Sequence, residues 1–307
     1  MDFTAIDNID IPELLPIQND LVFKRLLTHK DAMPVLRLVT SGLLKTTVTN
    51  VFVHNIETPK ESIEAKDQKF DVSCQTDSGT YVAIEMQADH MEGDDLKNKH
   101  RNIVVRAEYG MCDLFASQKG KGIPYEELMK AYQTTFLGYT IFPDRPHFER
   151  RILLRDEEGE ALTEDVGIVF IELPKVGKIL TKTAKEMTRL EAFASFMVTV
   201  GKPKLSYKLQ ELIRYWGELR VAYDLLNSMS RNADELALFR SRLAAERTRI
   251  TELNAKMKEG GQVERIKFAH MMRADGEPEA KVIRYTGYTF KDLDALEFVD
   301  FDVLRSV

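Results

Sequence analysis

Cysteine is nearly absent: 307 residues hold two, Cys74 and Cys112, with no repeated spacing. No disulfide framework and no thiolate zinc site is signalled, so a reducing, cytoplasmic setting is the expectation. The six histidines are scattered, and none shows a paired metal-ligand spacing. No apolar run is long enough to span a bilayer, so no membrane partner is expected. The opening "MDFTAIDNIDIPELLPIQND" is acidic and lacks an apolar core, so it does not read as a signal peptide. There is no internal repeat and no low-complexity tract. An excess of positive charge is missing too. The formal net charge is -6, which argues against a surface that binds nucleic acid everywhere but leaves room for a local basic face.

What is present is an ordinary globular composition, 44% hydrophobic and 30% charged, so a sizeable core can be buried. The length allows one large domain or two of ordinary size. An irregular lead-in with two prolines ends near residue 16. Asn19 is a plausible N-cap for "DLVFKRLLTHKD", whose Val22, Phe23, Leu26 and Leu27 form an apolar stripe. A second helical piece runs from about Pro34 to Leu44. "TVTNVFVHNIE" reads as a strand, and a hairpin follows it. "DDLKNKHRNIVVRAEYGMCDLFASQ" is a long helix with Ile103, Ala107 and Met111 on one side, closed by a loop at Gly120, Gly122 and Pro124. "TTFLGYTIFP" suits a strand covered on both faces. "HFERRILLRDEEGEALTEDVGIVFIELPK" reads as two strands joined by an acidic turn.

From about residue 184 the texture is almost purely helical, with candidates in "EMTRLEAFASFMVTV", "YKLQELIRYWGELRVAYDLLNSM" and "DELALFRSRLAAERTRITELNAKMKE". The last has a short near-heptad seam, which favours a helix packed on its own domain over a coiled coil. Gly260-Gly261 is expected to break it. "EAKVIRYTGYTFKDLDAL" has the size of a helix-turn-helix with Gly287 at the turn. Its acidic second half argues against sequence-specific DNA reading. Tyr109 and Trp216 read as core aromatics, and Arg240, Arg242, Arg247 and Arg249 as snorkelling surface residues.

The stretch "KFDVSCQTDSGTYVAIEMQ" carries the chemistry. A three-residue loop, Asp77-Ser78-Gly79, suits a type I turn followed by glycine in the left-handed region. Thr76 then opposes Thr80, Cys74 faces Val82, Val72 faces Ile84 and Phe70 faces Met86. On the other face Asp71 opposes Glu85 and Lys69 opposes Gln87. A two-residue loop would oppose Val72 to Glu85 and mix the faces, so the three-residue register is preferred. Directly opposed acids repel each other. Two explanations stay open on the hairpin alone. Either the acids share a divalent cation, and hard oxygen donors suit magnesium, or they lie on a solvated outer face.

The order of elements, with "NDLVFKRLL", "FDVSCQTDSGTYVAIEMQ", "RAEYG" and "FIELPK", resembles the PD-(D/E)XK nuclease superfamily, and within it the recombination-promoting nuclease/transposase family. The tail from about 260 to 296 resembles that family's ending. The resemblance implies a mixed α/β fold: a restriction-endonuclease-like core sheet flanked by helices over 12–176, followed by an all-helical region over 184–307. It implies that Asp71 and Glu85 are metal ligands, that Asp20 on the first helix adds a further metal contact, and that the metal is Mg2+ or Mn2+. Gln87 stands where the superfamily usually has lysine, and glutamine is common there in this family. Glutamine can orient water or phosphate but supplies no charge and no base. Asp20 equally suits the first turn of any helix, and Glu57 is a strand-end acid.

Cations that could meet a DNA backbone are Lys24 on the first helix and Lys97, Lys99, His100, Arg101 and Arg106 on the long helix. Ordinary solvated helix surface explains them as well. The sequence therefore leads to a magnesium-dependent DNA endonuclease, with phosphodiester hydrolysis linked to recombination or transposition. The rival is a catalytically weak or inactive DNA-binding or assembly protein on a nuclease scaffold. A third reading is a homo-oligomer held through residues 230–258.

Overall fold

Six strands form one mixed sheet in the order β1-β2-β3-β4-β6-β5. The computed structural model describes residues 14–54, 71–88, 96–118 and 124–296. Lys69, Phe70 and Glu57 lie outside the described residues, as do the side chains of Lys97 and Lys99. The chain enters through α1 (Asp20–Thr28) and α2 (Met33–Leu44). Asn19 caps α1 as expected, its side-chain oxygen accepting from the Leu21 and Val22 amides. Then come β1 (Val51–Val53), β2 (Val72–Thr76) and β3 (Tyr81–Gln87). β1 pairs antiparallel with β2, and β2 antiparallel with β3. The long helix α3 (Leu96–Ala116) leads to β4 (Ala131–Leu137), which lies parallel to β3. β5 (Glu149–Leu153) forms one edge, and β6 (Val166–Glu172) pairs parallel with β4.

Every residue of β4 and of β6 is buried, because helices cover both faces of the sheet at its centre. On one face Phe136 of β4 stands between Phe23 of α1 and Phe193 of α4 (Arg189–Thr199), each ring centroid 5.7 Å away. Helix α2 packs on α4 so closely that a Cβ at Gly42 would meet the Leu190 backbone nitrogen at 2.8 Å, so only glycine fits there. On the other face Ile103 and Ala107 of α3 pack on Leu137, Ile168 and Phe170. Leu114, two further turns along, packs on Ala83 and Ala131. Tyr109 points from the opposite side of α3 and is 61% exposed, so it is not a core aromatic. The reason is angular: it lies roughly 200° around the helix from Ala107.

The helical run after β6 is divided differently from the sequence expectation. "YKLQELIRYWGELRVAYDLLNSM" is two helices, α5 (Ser206–Tyr215) and α6 (Gly217–Arg231). Trp216 separates them with extended backbone, and its indole N–H donates to the Ala184 carbonyl at 3.1 Å. A tertiary hydrogen bond thus outweighs the local preference to continue. The next helix, α7 (Ala233–Ala274), runs straight through Gly260-Gly261. Two glycines weaken a helix by roughly 1 kcal/mol each, and the flanking Lys, Glu, Gln and Arg are good formers. Finally α8 (Glu279–Thr286) and α9 (Phe290–Leu296) are joined at Gly287, which takes φ +82° as the C-cap. The chain divides into a unit ending at Leu236 and a second from Ala237, the division falling within α7. The second unit has its own small core of Ala269, Met272, Val282 and Leu293.

Candidate active site

The hairpin register follows the apolar alternation. Val72 pairs with Ile84, Ser73 with Ala83, Cys74 with Val82 and Gln75 with Tyr81. The Thr76 amide donates to the Thr80 carbonyl at 2.9 Å, and Gly79 takes φ +85°. Continuing this register puts Asp71 opposite Glu85. The chain bends at Asp71, just before β2, and its Oδ2 accepts the Met86 amide at 2.8 Å. That bond ties the first acid to the strand bearing the second.

The side chains at Ala83, Glu85 and Gln87 share the face covered by α3, since alternate residues of a strand point the same way. Glu85 is 1% exposed. Its Oε2 faces the Arg106 Nε of α3 at 3.4 Å. Its Oε1 is buried with no hydrogen-bond partner among the described residues. Burial pushes the Glu85 carboxyl above the usual carboxylate range, the Asp71 charge adds to the push, and Arg106 opposes it. Asp71 behaves alike: burial drives it up to about 6, aided by the Asp20 charge and opposed by the Met86 amide, Arg106 and Lys24. Folding therefore brings together Asp20, Lys24, Asp71, Glu85 and Arg106, residues from α1, the hairpin and α3.

Gln87 is half-buried at the end of β3, two residues beyond Glu85 on the same face. The site thus opens at the carboxyl ends of the parallel strands, where open α/β sheets place their ligand crevices. Arg101 is exposed and lies roughly 140° around α3 from Arg106. Lys97 lies roughly 180° around from Arg106. The His100 ring stands edge-on to Phe142 at 5.3 Å. Among the described residues no three His, Cys, Asp or Glu side chains converge as a ligand set. The pair Asp71–Glu85 is the acidic nucleus, and Asp20 acts on it through its charge.

Half-buried Asp71 and buried Glu85 thus stand on the two arms of one hairpin, and α3 crosses over from β3 to the parallel strand β4. The family model of the PD-(D/E)XK nuclease family transposases matches residues 17–256. The chain belongs to this family. No curated protein and no solved structure matches it. As a PD-(D/E)XK nuclease family transposase it carries the mixed sheet flanked by helices and a helical C-terminal region. No helix among its described residues is long and apolar enough to cross a membrane.

Two residues of this transposase-family site escape a reading of the sequence. Thr135 pairs directly with Glu85 across β3 and β4, and Gln133 pairs with Ala83. Both are fully buried, and the side-chain polar atoms of both lack partners among the described residues. The sequence signal was the "QTT" inside a β4 run otherwise apolar or aromatic. Without knowing that β4 lies beside β3, nothing ties it to Glu85.

Proposed function

We propose that the protein is a magnesium-dependent DNA endonuclease whose phosphodiester hydrolysis serves recombination or transposition. The observation that carries this is the pair of half-buried Asp71 and buried Glu85, in which burial drives the first acid up to about 6 and the second keeps an oxygen without a partner among the described residues. Two desolvated carboxylates facing one crevice favour a doubly charged guest. Magnesium fits, since it takes one or two protein carboxylates and keeps waters elsewhere. Bound there, Mg2+ or Mn2+ would supply Lewis-acid stabilisation of charge on the phosphodiester.

The chain's own residues divide the remaining work. Asp71 and Glu85 hold the metal, and Asp20 deepens the negative field around it. Gln87 hydrogen-bonds and orients the attacking water, since a neutral amide can orient but not deprotonate. Lys24, Lys97, Arg101 and Arg106 neutralise DNA phosphates. In the reaction the water oxygen bonds to phosphorus as the water gives a proton to bulk solvent, one P–O ester bond breaks, and the departing oxygen takes a proton from solvent to end as an alcohol. The catalytic machinery lies within 12–176, with the helical region 184–307 supporting it. Action on cellular DNA would place the protein in the cytoplasm.

A non-catalytic DNA-binding scaffold is the second reading. It is favoured by the Arg106–Glu85 ion pair, which already neutralises one acid, and by the uncharged Gln87. Purified protein with supercoiled plasmid decides between them. Magnesium-dependent nicking that disappears in Asp71→Ala supports the nuclease. No nicking, no magnesium-induced rise in Tm and salt-sensitive DNA binding together support the scaffold.

A further inference from the structure

We infer that Arg106 is a catalytic residue that gives the transferring phosphate the positive charge Gln87 cannot give. The inference rests on the nuclease reading above. Ile103 and Ala107 of α3 are buried against Leu137, and Leu137 is the register partner of Gln87. The helix is therefore fixed over the end of β3, and Arg106 projects where Glu85 and Gln87 share a face. Its Nε lies 3.4 Å from Glu85 Oε2, yet the side chain is 47% exposed. The Nε edge of the guanidinium faces the carboxylate while the side chain stays exposed to solvent.

A guanidinium has five N–H donors in a planar fork. It can keep one edge on Glu85 and present another to a nonbridging phosphate oxygen. As water adds to phosphorus and the ester P–O bond breaks, negative charge on those oxygens grows. A fixed cation there stabilises that charge more than it stabilises the ground state.

The experiment compares wild type, Arg106→Gln, Arg106→Lys, Gln87→Lys and the double variant Gln87→Lys/Arg106→Gln, all in the full chain. Plasmid nicking gives kcat and KM, and thermal denaturation with and without magnesium reads metal binding separately. Arg106→Gln should lower kcat by about 100- to 1000-fold, the range for losing one charge-stabilising donor. Its KM should change less than its kcat, and the magnesium-induced rise in Tm should persist. Lysine at 87 should restore turnover to the double variant by at least about tenfold. Should Gln87→Lys itself be inactive, Arg106→Lys decides, and it should keep more turnover than Arg106→Gln. The inference is overturned if the loss is confined to KM, if the magnesium shift disappears with Arg106, or if neither lysine restores turnover. Wild type that nicks while Arg106→Gln nicks equally well overturns the inference alone. Wild type that neither nicks nor responds to magnesium overturns the nuclease reading with it.

Discussion

The two faces of the central sheet are built on opposite terms. The face under α1, α2 and α4 is sealed by interlocking aromatics, with Phe136 between Phe23 and Phe193. On its central strands the buried polar groups are hydroxyls, such as Thr134, and charge appears there at the edge strand, where half-buried Arg151 of β5 pairs with Glu149 and donates to the Leu43 carbonyl of α2. The face under α3 buries Glu85, Gln133 and Thr135 beside small residues, Ala83 and Ala131. One face gains stability from close packing. The other forgoes some of it, keeping desolvated polar atoms where a cation and a phosphate would satisfy them. The same β4 strand serves both, because its alternate residues point to opposite faces.

The contrast can be broken most severely by exchanging stability for chemistry. Glu85→Gln on the α3 face should eliminate magnesium-dependent nicking, a loss of more than about 100-fold. The metal-free Tm should stay level or rise, because a buried charge has been removed. A clear fall in metal-free Tm would mean that the Arg106 ion pair supports the fold, and the contrast fails. Phe136→Ala should do the reverse. Chemical denaturation should show a loss of about 3–5 kcal/mol, the usual range for emptying a core phenylalanine site. Activity should survive in whatever fraction remains folded.

A smaller effect lies in pH. Asp71 has its folded carboxyl at about 6 against an ordinary 3.8, so the folded metal-free chain binds that proton more tightly than the unfolded one. The associated stability is full below about 4 and is lost as pH rises through about 6. Glu85, also raised, pulls in the same direction. Tm measured with chelator present should therefore fall across this window, and Asp71→Asn should flatten the fall. Magnesium at neutral pH should restore stability, since it binds the ionised pair. A Tm that climbs steadily through the window would contradict the desolvated pair.

The smallest effect is expected at Gln133→Leu, which replaces a buried amide lacking partners among the described residues by an apolar group of similar volume. Urea denaturation should show little change or a gain within about 1 kcal/mol. A loss beyond that would mean that an enclosed water bonds the amide, and the α3 face would then be better satisfied than its protein contacts suggest.

Much of this was legible in the chain, and for local reasons. Asn19 announced α1 because a cap acts on its own first turn. The hairpin register was readable because the loop length and the alternation of Val72, Cys74, Val82 and Ile84 admit one consistent pairing. Gly287 marked the α8–α9 turn because its backbone is left-handed. The misses share a non-local cause. Trp216 splits a helix to reach Ala184, thirty-two residues away. Gly260-Gly261 looked like a stop because propensity was weighed without the helix-forming neighbours. Tyr109 was assigned to the core without the angular position of α3 being known. Arg106 read as one of several surface cations until α3 was laid across β3.

The sequence alone determined the hairpin, its register and the identity of the two opposed acids, since periodicity and turn chemistry act between near neighbours, whereas the strand read at 134–143 lies at Ala131–Leu137. Only the tertiary structure decided that these acids are desolvated, that Asp20, Lys24 and Arg106 reach them, and that Thr135 and Gln133 lie alongside. Burial and charge act through space, and the parallel pairing of β3 with β4 across the intervening α3 is what brings these distant residues within range.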